Sequence, residues 1–220
     1  MIFSNLSDNE VFFNLHTHHN IPNQLGIVQN DTYEEFNPST KYSVGIHPMN
    51  TSNNQKNDLT KIEQTLKNQN CLAIGEIGLD NRYENMNKQE ELFIHQLKIA
   101  SKLNKPIILH CVNTWNKSAF LHLKYASQIP LIYHGFNKAT ITDQVINHPN
   151  SYISIGNSIQ TNISLQKVCA KLPIEQLFIE TDIEIEGLEK NYELIASIKK
   201  LSLGTLKKEI YKNAKRLFNL

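Results

Sequence analysis

Arginine is nearly missing from this chain: of 22 basic residues among 220, only Arg82 and Arg216 carry a guanidinium. Bidentate guanidinium clamps on phosphate are therefore scarce, and lysine has to serve where a phosphate is gripped. Net charge is equally sparse. The 22 Lys and Arg against 21 Asp and Glu leave +1, which argues against a long electrostatic footprint on duplex nucleic acid, because such binding rests on many phosphate contacts. A few bases held at one pocket remain compatible. The three cysteines, Cys71, Cys111 and Cys169, form an odd set without CxxC spacing, which excludes a thiolate zinc knot and points to a reducing compartment. They read as packed thiols, with Cys111, next to His110, placed to face a pocket. No run approaches the roughly 20 apolar residues of a membrane helix, and the opening MIFSNLSDNEVFF lacks the basic and apolar regions of a signal peptide. The expectation is a cytoplasmic protein, monomeric, with no membrane association and no obligate protein partner.

With 40% hydrophobic and 20% charged side chains, the chain suits one domain over residues 1–220 that buries a sizeable core. Segments rich in β-branched and aromatic residues predict strands at Val11–Leu15, Tyr42–Ile46, Cys71–Ile74, Pro106–Leu109, Leu131–Tyr133, Tyr152–Ile155 and Leu177–Ile179, with a weaker one at Ile27–Val28. Leu92, Phe93, Leu97, Ala100 and Leu103 fall on one helical face, as do Leu206, Ile210, Ala214, Leu217 and Phe218. Thr205 is the expected N-cap of the last helix. Alternating strands and helices, with strands apolar on both faces, indicate an α/β fold with a parallel sheet covered by helices, and the order fits a TIM-type (β/α) barrel. Such barrels usually need about 250 residues, with a floor near 200, so this one is trimmed. The stretch from Asn20 to Lys41 shows no helical face, which predicts that the first crossover helix is reduced or missing; Thr51 to Asp58 is another polar loop.

Six metal-capable residues stand in or just after short apolar runs: His16 and His18 in FFNLHTH, Glu76 in LAIGEIGLD, His110 in PIILHC, His134 in LIYHG and Asp182 in LFIETD. Active sites of parallel barrels lie where the strands end, so ligands far apart in sequence can converge there. Side chains at i and i+2 of a strand point to one face, which lets both imidazoles of HTH reach one cation. Glu76 lies between two glycines that permit close approach of backbone or ligand. Imidazole with carboxylate is the mixture zinc prefers, and manganese or iron(II) less exclusively. A lone histidine after an apolar run is as often a satisfied core residue, but the recurrence through one chain is hard to assign to packing. His19, His95, His122 and His148 read as ordinary surface or helix residues.

These motifs, in this order, resemble the TatD family of metal-dependent hydrolases. The resemblance runs through FNLHTH, VGIHP at Val44–Pro48, AIGEIGLD at Ala73–Asp80, the helix QEELFIHQLKIASKLNKP, then ILHC, YHGF, FIETD and a terminal NAKRLF. It implies that His16, His18 and Asp182 hold one divalent ion, that His110 and His134 hold a second, and that Glu76 bridges them. Two divalent ions per chain are thus expected, with zinc favoured and magnesium or manganese alternatives. By the same resemblance His47 lines the substrate pocket, with a plain turn residue before Pro48 as the alternative; Arg82, soon after GLD, either faces a phosphate or is a solvated surface arginine. Three departures stand out: Asn14 replaces the aspartate that opens the DxHxH motif, Val112 replaces the arginine after HC, and IEIEGLEKN replaces the proline-rich segment after TD. The metal chemistry is intact on this reading, whereas substrate recognition is altered. An early HxH also occurs in PHP phosphoesterases, but GEIGLD and ETD fit the TatD pattern better.

The expected reaction is hydrolysis by a metal-activated water, with Asp182 accepting its proton and Glu76 fixing the metal spacing. The first expectation is a phosphodiesterase, a deoxyribonuclease acting on DNA ends. The alternatives are a hydrolase for a small ester, amide or lactone, and a metal-binding barrel without catalysis.

Overall fold

The computed structural model describes residues 10–21, 24–31, 39–51 and 55–220. Residues 1–9, on which part of the reading of the N-terminus falls, lie outside that set. The strands are β1 (Phe13–Thr17), β2 (Leu25–Asn30), β3 (Tyr42–Val44), β4 (Cys71–Asp80), β5 (Ile107–Val112), β6 (Leu131–Tyr133), β7 (Ser151–Ile155) and β8 (Leu177–Ile179). The α-helices are α1 (Gln55–Thr65), α2 (Met86–Leu103), α3 (Trp115–Tyr125), α4 (Thr142–Ile146), α5 (Ile163–Lys171), α6 (Leu188–Lys199) and α7 (Leu203–Phe218). The chain divides into two compact units, residues 1–28 with 134–220, and residues 29–133.

Most predicted strands recur with shifted ends, and the weak candidate at Ile27–Val28 becomes the six-residue β2. β4 is the main difference. It was expected to stop at Ile74 but continues to Asp80, with all ten residues buried. No helix separates β1 from β2 among the described residues, as the absent helical face predicts; residues 22–23 and 32–38 of the stretch from Asn20 to Lys41 lie outside the described residues. The polar loop expected from Thr51 to Asp58 gives way to α1 at Gln55; its residues 52–54 lie outside the described residues.

In the unit of residues 29–133, β3, β4, β5 and β6 pair in parallel. Two glutamines of α2, seven residues apart and so on one face, hold two strand ends by their backbones. Gln96 accepts from Ile46 N at 2.7 Å and donates to Ile46 O at 3.2 Å; Gln89 accepts from Asp80 N at 2.9 Å and donates to Asp80 O at 3.1 Å. Both amides are buried, so they meet backbone groups whose desolvation would otherwise be costly. Two glycines of β4 allow β5 to approach: a Cβ on Gly75 would lie 2.6 Å from Ile108 Cβ, and one on Gly78, at φ 150°, 1.9 Å from His110 O.

In the other unit, β1 pairs with β2 and β7 with β8, again in parallel. Phe13, Phe178 and Phe218 form a ring cluster with centroids 6.2–6.3 Å apart, which docks α7 on β1 and β8. Tyr192 of α6 accepts from Phe13 N at 3.1 Å and donates to Phe13 O at 2.8 Å, fixing the start of β1. The apolar face predicted for α7 is buried, but its cap is Ser202, whose Oγ accepts from Thr205 N at 3.1 Å. Thr205 is the third helical residue. No helix among the described residues is long and apolar enough to cross a membrane.

Candidate metal centre

In the unit that contains both termini, the HTH and TD motifs are joined by backbone. His18 N donates to Asp182 O and Asp182 N donates to His16 O, both at 3.0 Å, and Thr17 and Asp182 form a parallel bridge. Asp182 has φ 57°, the left-handed region that aspartate tolerates better than most side chains. Asn14 supplies a second joint: its Oδ1 accepts from Thr181 N at 3.1 Å, and its Nδ2 donates to Thr181 Oγ1 at 2.9 Å and Gln24 Oε1 at 3.0 Å. An amide gives both donor and acceptor here, which a carboxylate cannot. The departure at residue 14 is thus a structural clamp between β1 and the segment after β8.

The three side chains so placed converge. His16 Nε2 and His18 Nε2 lie 3.5 and 3.6 Å from the same Asp182 Oδ1. These separations are long for hydrogen bonds, but they match donors on a shared ion, since ligands roughly 2.0–2.2 Å from zinc stand about 3 to 3.5 Å from one another. The ligand atoms of His16, His18 and Asp182 all lie within 4.8 Å of one another. His16 is fully buried while His18 and Asp182 remain partly exposed, so the group is reachable from one side. His134 follows β6 and stacks beside His16, with ring centroids 4.7 Å apart. Its Nδ1 stands 3.4 Å from Oε1 of the buried Glu180, which also accepts from Gly135 N at 2.5 Å. Glu180 Oε2 is buried with no hydrogen-bond partner among the described residues.

In the unit of residues 29–133, His47, Glu76 and His110 offer ligand atoms within 4.8 Å of one another. Glu76 lies inside β4, in the register irregularity between Ile74 and Ile77, and not in a loop after the strand; the Gly75–Glu76 peptide bond is cis. Beyond it, Gly78 pairs with His110, which brings His110 Nδ1 against Glu76 Oε1. His47 Nε2 lies 3.2 Å from His110 Nδ1 and 3.6 Å from Glu76 Oε1. On its other side His47 Nδ1 accepts from Met49 N at 3.0 Å. A backbone amide only donates, so the neutral ring carries its proton on Nε2 and offers an N–H to this group in place of a lone pair.

His110 Nε2 in turn meets Asp80 Oδ2 at 2.9 Å. The Asp80 carboxylate also accepts from Arg82: backbone N at 2.9 Å, Nε at 3.0 and 3.1 Å, and Nη2 at 2.5 Å. Burial opposes ionisation of Asp80, but the hydrogen bonds from Arg82 and His110 outweigh it and hold the carboxyl well below the usual carboxylate range. Arg82, expected to face a phosphate, commits its fork to Asp80, although its side chain is still 60% exposed.

Asp80 and Glu180 escaped the sequence reading. Both lie in the context that singled out the others, an acid in or after an apolar run, as GLD and FIETD. Cys111 turns its sulfur to Thr114 and Ser118, 3.6 and 3.9 Å away, at the start of α3. His19 ties Ile183 O at 2.8 Å and so holds the segment after Asp182. His122 and His148, expected at surface or ordinary helix positions, are buried; His122 Nε2 pairs with Ile129 O at 2.8 Å.

Residues 26–219 match the family described as TatD related DNase. An uncharacterized metal-dependent hydrolase of Methanocaldococcus jannaschii is 31% identical over 189 residues, covering 80% of this chain and 74% of that protein. Another from Buchnera aphidicola subsp. Baizongia pistaciae is 30% identical over 202 residues, covering 84% and 76%. Among solved structures, the TatD homolog YJJV of Escherichia coli K12 superposes with a TM-score of 0.81 at 21% identity, covering 97% of this chain and all of that one. A TatD family hydrolase of Entamoeba histolytica gives 0.77 at 17% identity, covering 94% and 98%. The fold is the TIM-type α/β barrel.

Proposed function

This chain belongs to the TatD related DNase family of metal-dependent hydrolases, and from that premise we propose that it is a phosphodiesterase that cleaves DNA ends. The observation that carries the reading is the convergence of His16 Nε2 and His18 Nε2 on Asp182 Oδ1 at 3.5 and 3.6 Å. His16, His18 and Asp182 would hold one divalent ion, His110 and His134 a second, and Glu76 would bridge the two. The donor set of imidazole and carboxylate suits zinc, with manganese or magnesium as alternatives.

When bound, such ions lower the pKa of a water and stabilise charge on the scissile group. The protein's own part is positional. Asp182, partly exposed beside both imidazoles, accepts the proton of the attacking water. Glu76, buried within β4, fixes the spacing of the centre. His47 presents its Nε2–H as a donor toward a substrate oxygen, and Arg82, anchored on Asp80, leaves an exposed guanidinium edge for a phosphate.

A second reading, hydrolysis of a small ester, amide or lactone, is favoured by the segment after Asp182. There Ile183 and Ile185 are 65% and 61% exposed and alternate with Glu184 and Glu186, an apolar and acidic surface poorly suited to a polyanion. Incubation of purified protein with a labelled single-stranded oligonucleotide and Mg²⁺, Mn²⁺ or Zn²⁺ separates the readings. The first expects metal-dependent nucleotide release that weakens with salt and falls at least about 100-fold in Asp182→Asn. Turnover of neutral esters alone supports the second, and metal binding without turnover of either substrate refutes both in favour of a non-catalytic barrel.

A further inference from the structure

We propose that Tyr83 is a substrate-contact residue: its ring, beside His47 and flanked by Arg82, is the surface on which a nucleobase of the substrate stacks. This rests on the phosphodiesterase reading, and it names the part of the substrate that the unit of residues 29–133 receives.

Two large side chains of this unit stay in water. Tyr83 and Met49 are 37% and 55% exposed, although an aromatic ring and a thioether both gain by leaving water. Each stands beside His47. The rings of Tyr83 and His47 meet edge to face, with centroids 6.3 Å apart and planes at 79°, and Met49 N donates to His47 Nδ1 at 3.0 Å. His47 Nε2 in turn lies 3.6 Å from Glu76 Oε1, so the exposed pair borders the cluster of ligand atoms in this unit. The fold does not depend on the Tyr83 ring. The turn that carries it, directly after β4, is held through its backbone: Tyr83 N donates to Asp80 O at 3.3 Å, and Gln89 Nε2 donates to Tyr83 O at 3.3 Å and to Glu84 O at 3.2 Å. An aromatic side chain fixed at its root and open at its tip, on a loop at the edge of a site, is placed for a ligand rather than for a core.

Charge selects the ligand. Arg82 Cζ lies 5.8 Å from the Tyr83 ring centroid, and the Arg82 side chain remains 60% exposed while it is anchored on Asp80. A π-surface with a permanent cation beside it fits a group that is itself flat and is joined to an anion. A nucleobase carrying its phosphate meets both conditions, and such stacking tolerates any base because every base has a π-face. An aliphatic acyl group would cover the ring but gain nothing from the cation.

The test is ligand binding to the full-length, chelator-treated protein, which does not depend on turnover. Calorimetric titration with deoxyadenosine monophosphate is expected to show an affinity that falls roughly 5- to 100-fold in Tyr83→Ala, the range for loss of one base–aromatic stack, and that recovers in Tyr83→Phe. Deoxyribose phosphate, which lacks the base, is expected to bind wild type more weakly than the nucleotide does and to be indifferent to Tyr83→Ala. A folded Tyr83→Ala protein that binds the nucleotide as wild type does overturns the proposal. So does a wild type that binds both ligands equally or neither, whether or not the variant folds. In the metal-loaded protein Tyr83→Ala is expected to raise KM for a single-stranded oligonucleotide with little change in kcat, as when binding is lost equally from ground and transition states; a lower kcat at unchanged KM overturns the stacking role. A wild type that binds the nucleotide through Tyr83 but hydrolyses no oligonucleotide overturns the phosphodiesterase reading and leaves Tyr83 as a nucleotide contact.

Discussion

Burial raises the thiol pKa of Cys71 to about 12 and that of Cys169 to about 11, so at pH 8 neither holds an appreciable thiolate fraction. Cys111 is only half-buried. A disulfide-exchange reagent at pH 8 is expected to titrate one thiol of the native protein quickly and all three after denaturation; three fast thiols in the native protein would refute these burials. Most of the candidate ligands were legible at this scale because each is a His, Glu or Asp breaking an apolar run. Their carboxylate neighbours were not. Asp80 and Glu180 carry the same local signal, but what gives them a role is a neighbour distant in sequence, His110 for one and His134 for the other. Asn14 is the converse case. A missing family aspartate reads as a lost charge, yet the amide makes two bonds to Thr181, 167 residues away.

Among the elements, β4 departs furthest from expectation. Gly75, Glu76 and Gly78 are poor strand formers, so propensity ends the strand at Ile74, whereas Gly75 and Gly78 are the positions where β5 approaches too closely for any Cβ. Gly78→Ala tests this directly. The added methyl would meet His110 O at 1.9 Å in a backbone conformation that alanine rarely adopts. The expected loss is at least about 3 kcal/mol, read as a lower denaturant midpoint; a midpoint within error of wild type would refute the described pairing of Gly78 with His110. The helices were easier. Their apolar faces at Leu92 to Ala100 and Leu206 to Phe218 are set by a local period, and only the caps moved, as Ser202 in place of Thr205 illustrates.

For the molecule as a whole, the fold class was legible because alternation of strand and helix survives local errors, whereas substrate identity was not, because loops carry no period from which it could be read. The proposed centre makes stability depend on metal and pH together. A divalent ion at about 100 times its Kd stabilises by about 2.7 kcal/mol, a rise in Tm of roughly 5 to 10 °C for a chain of this size. Imidazoles bind metal only when deprotonated, so this increment is expected at pH 8 and lost as pH falls below about 6. Differential scanning calorimetry with and without chelator measures it; equal transitions at pH 8 would refute the dependence.

The paired backbone hydrogen bonds that tie His16 and His18 to Asp182 also bear on biogenesis. Ribosomes deliver the first two side chains long before the carboxylate that stands beside them. A nascent chain halted before Thr181 lacks both of those hydrogen bonds, so the proposed ion site at this triad cannot close until Asp182 has left the ribosome.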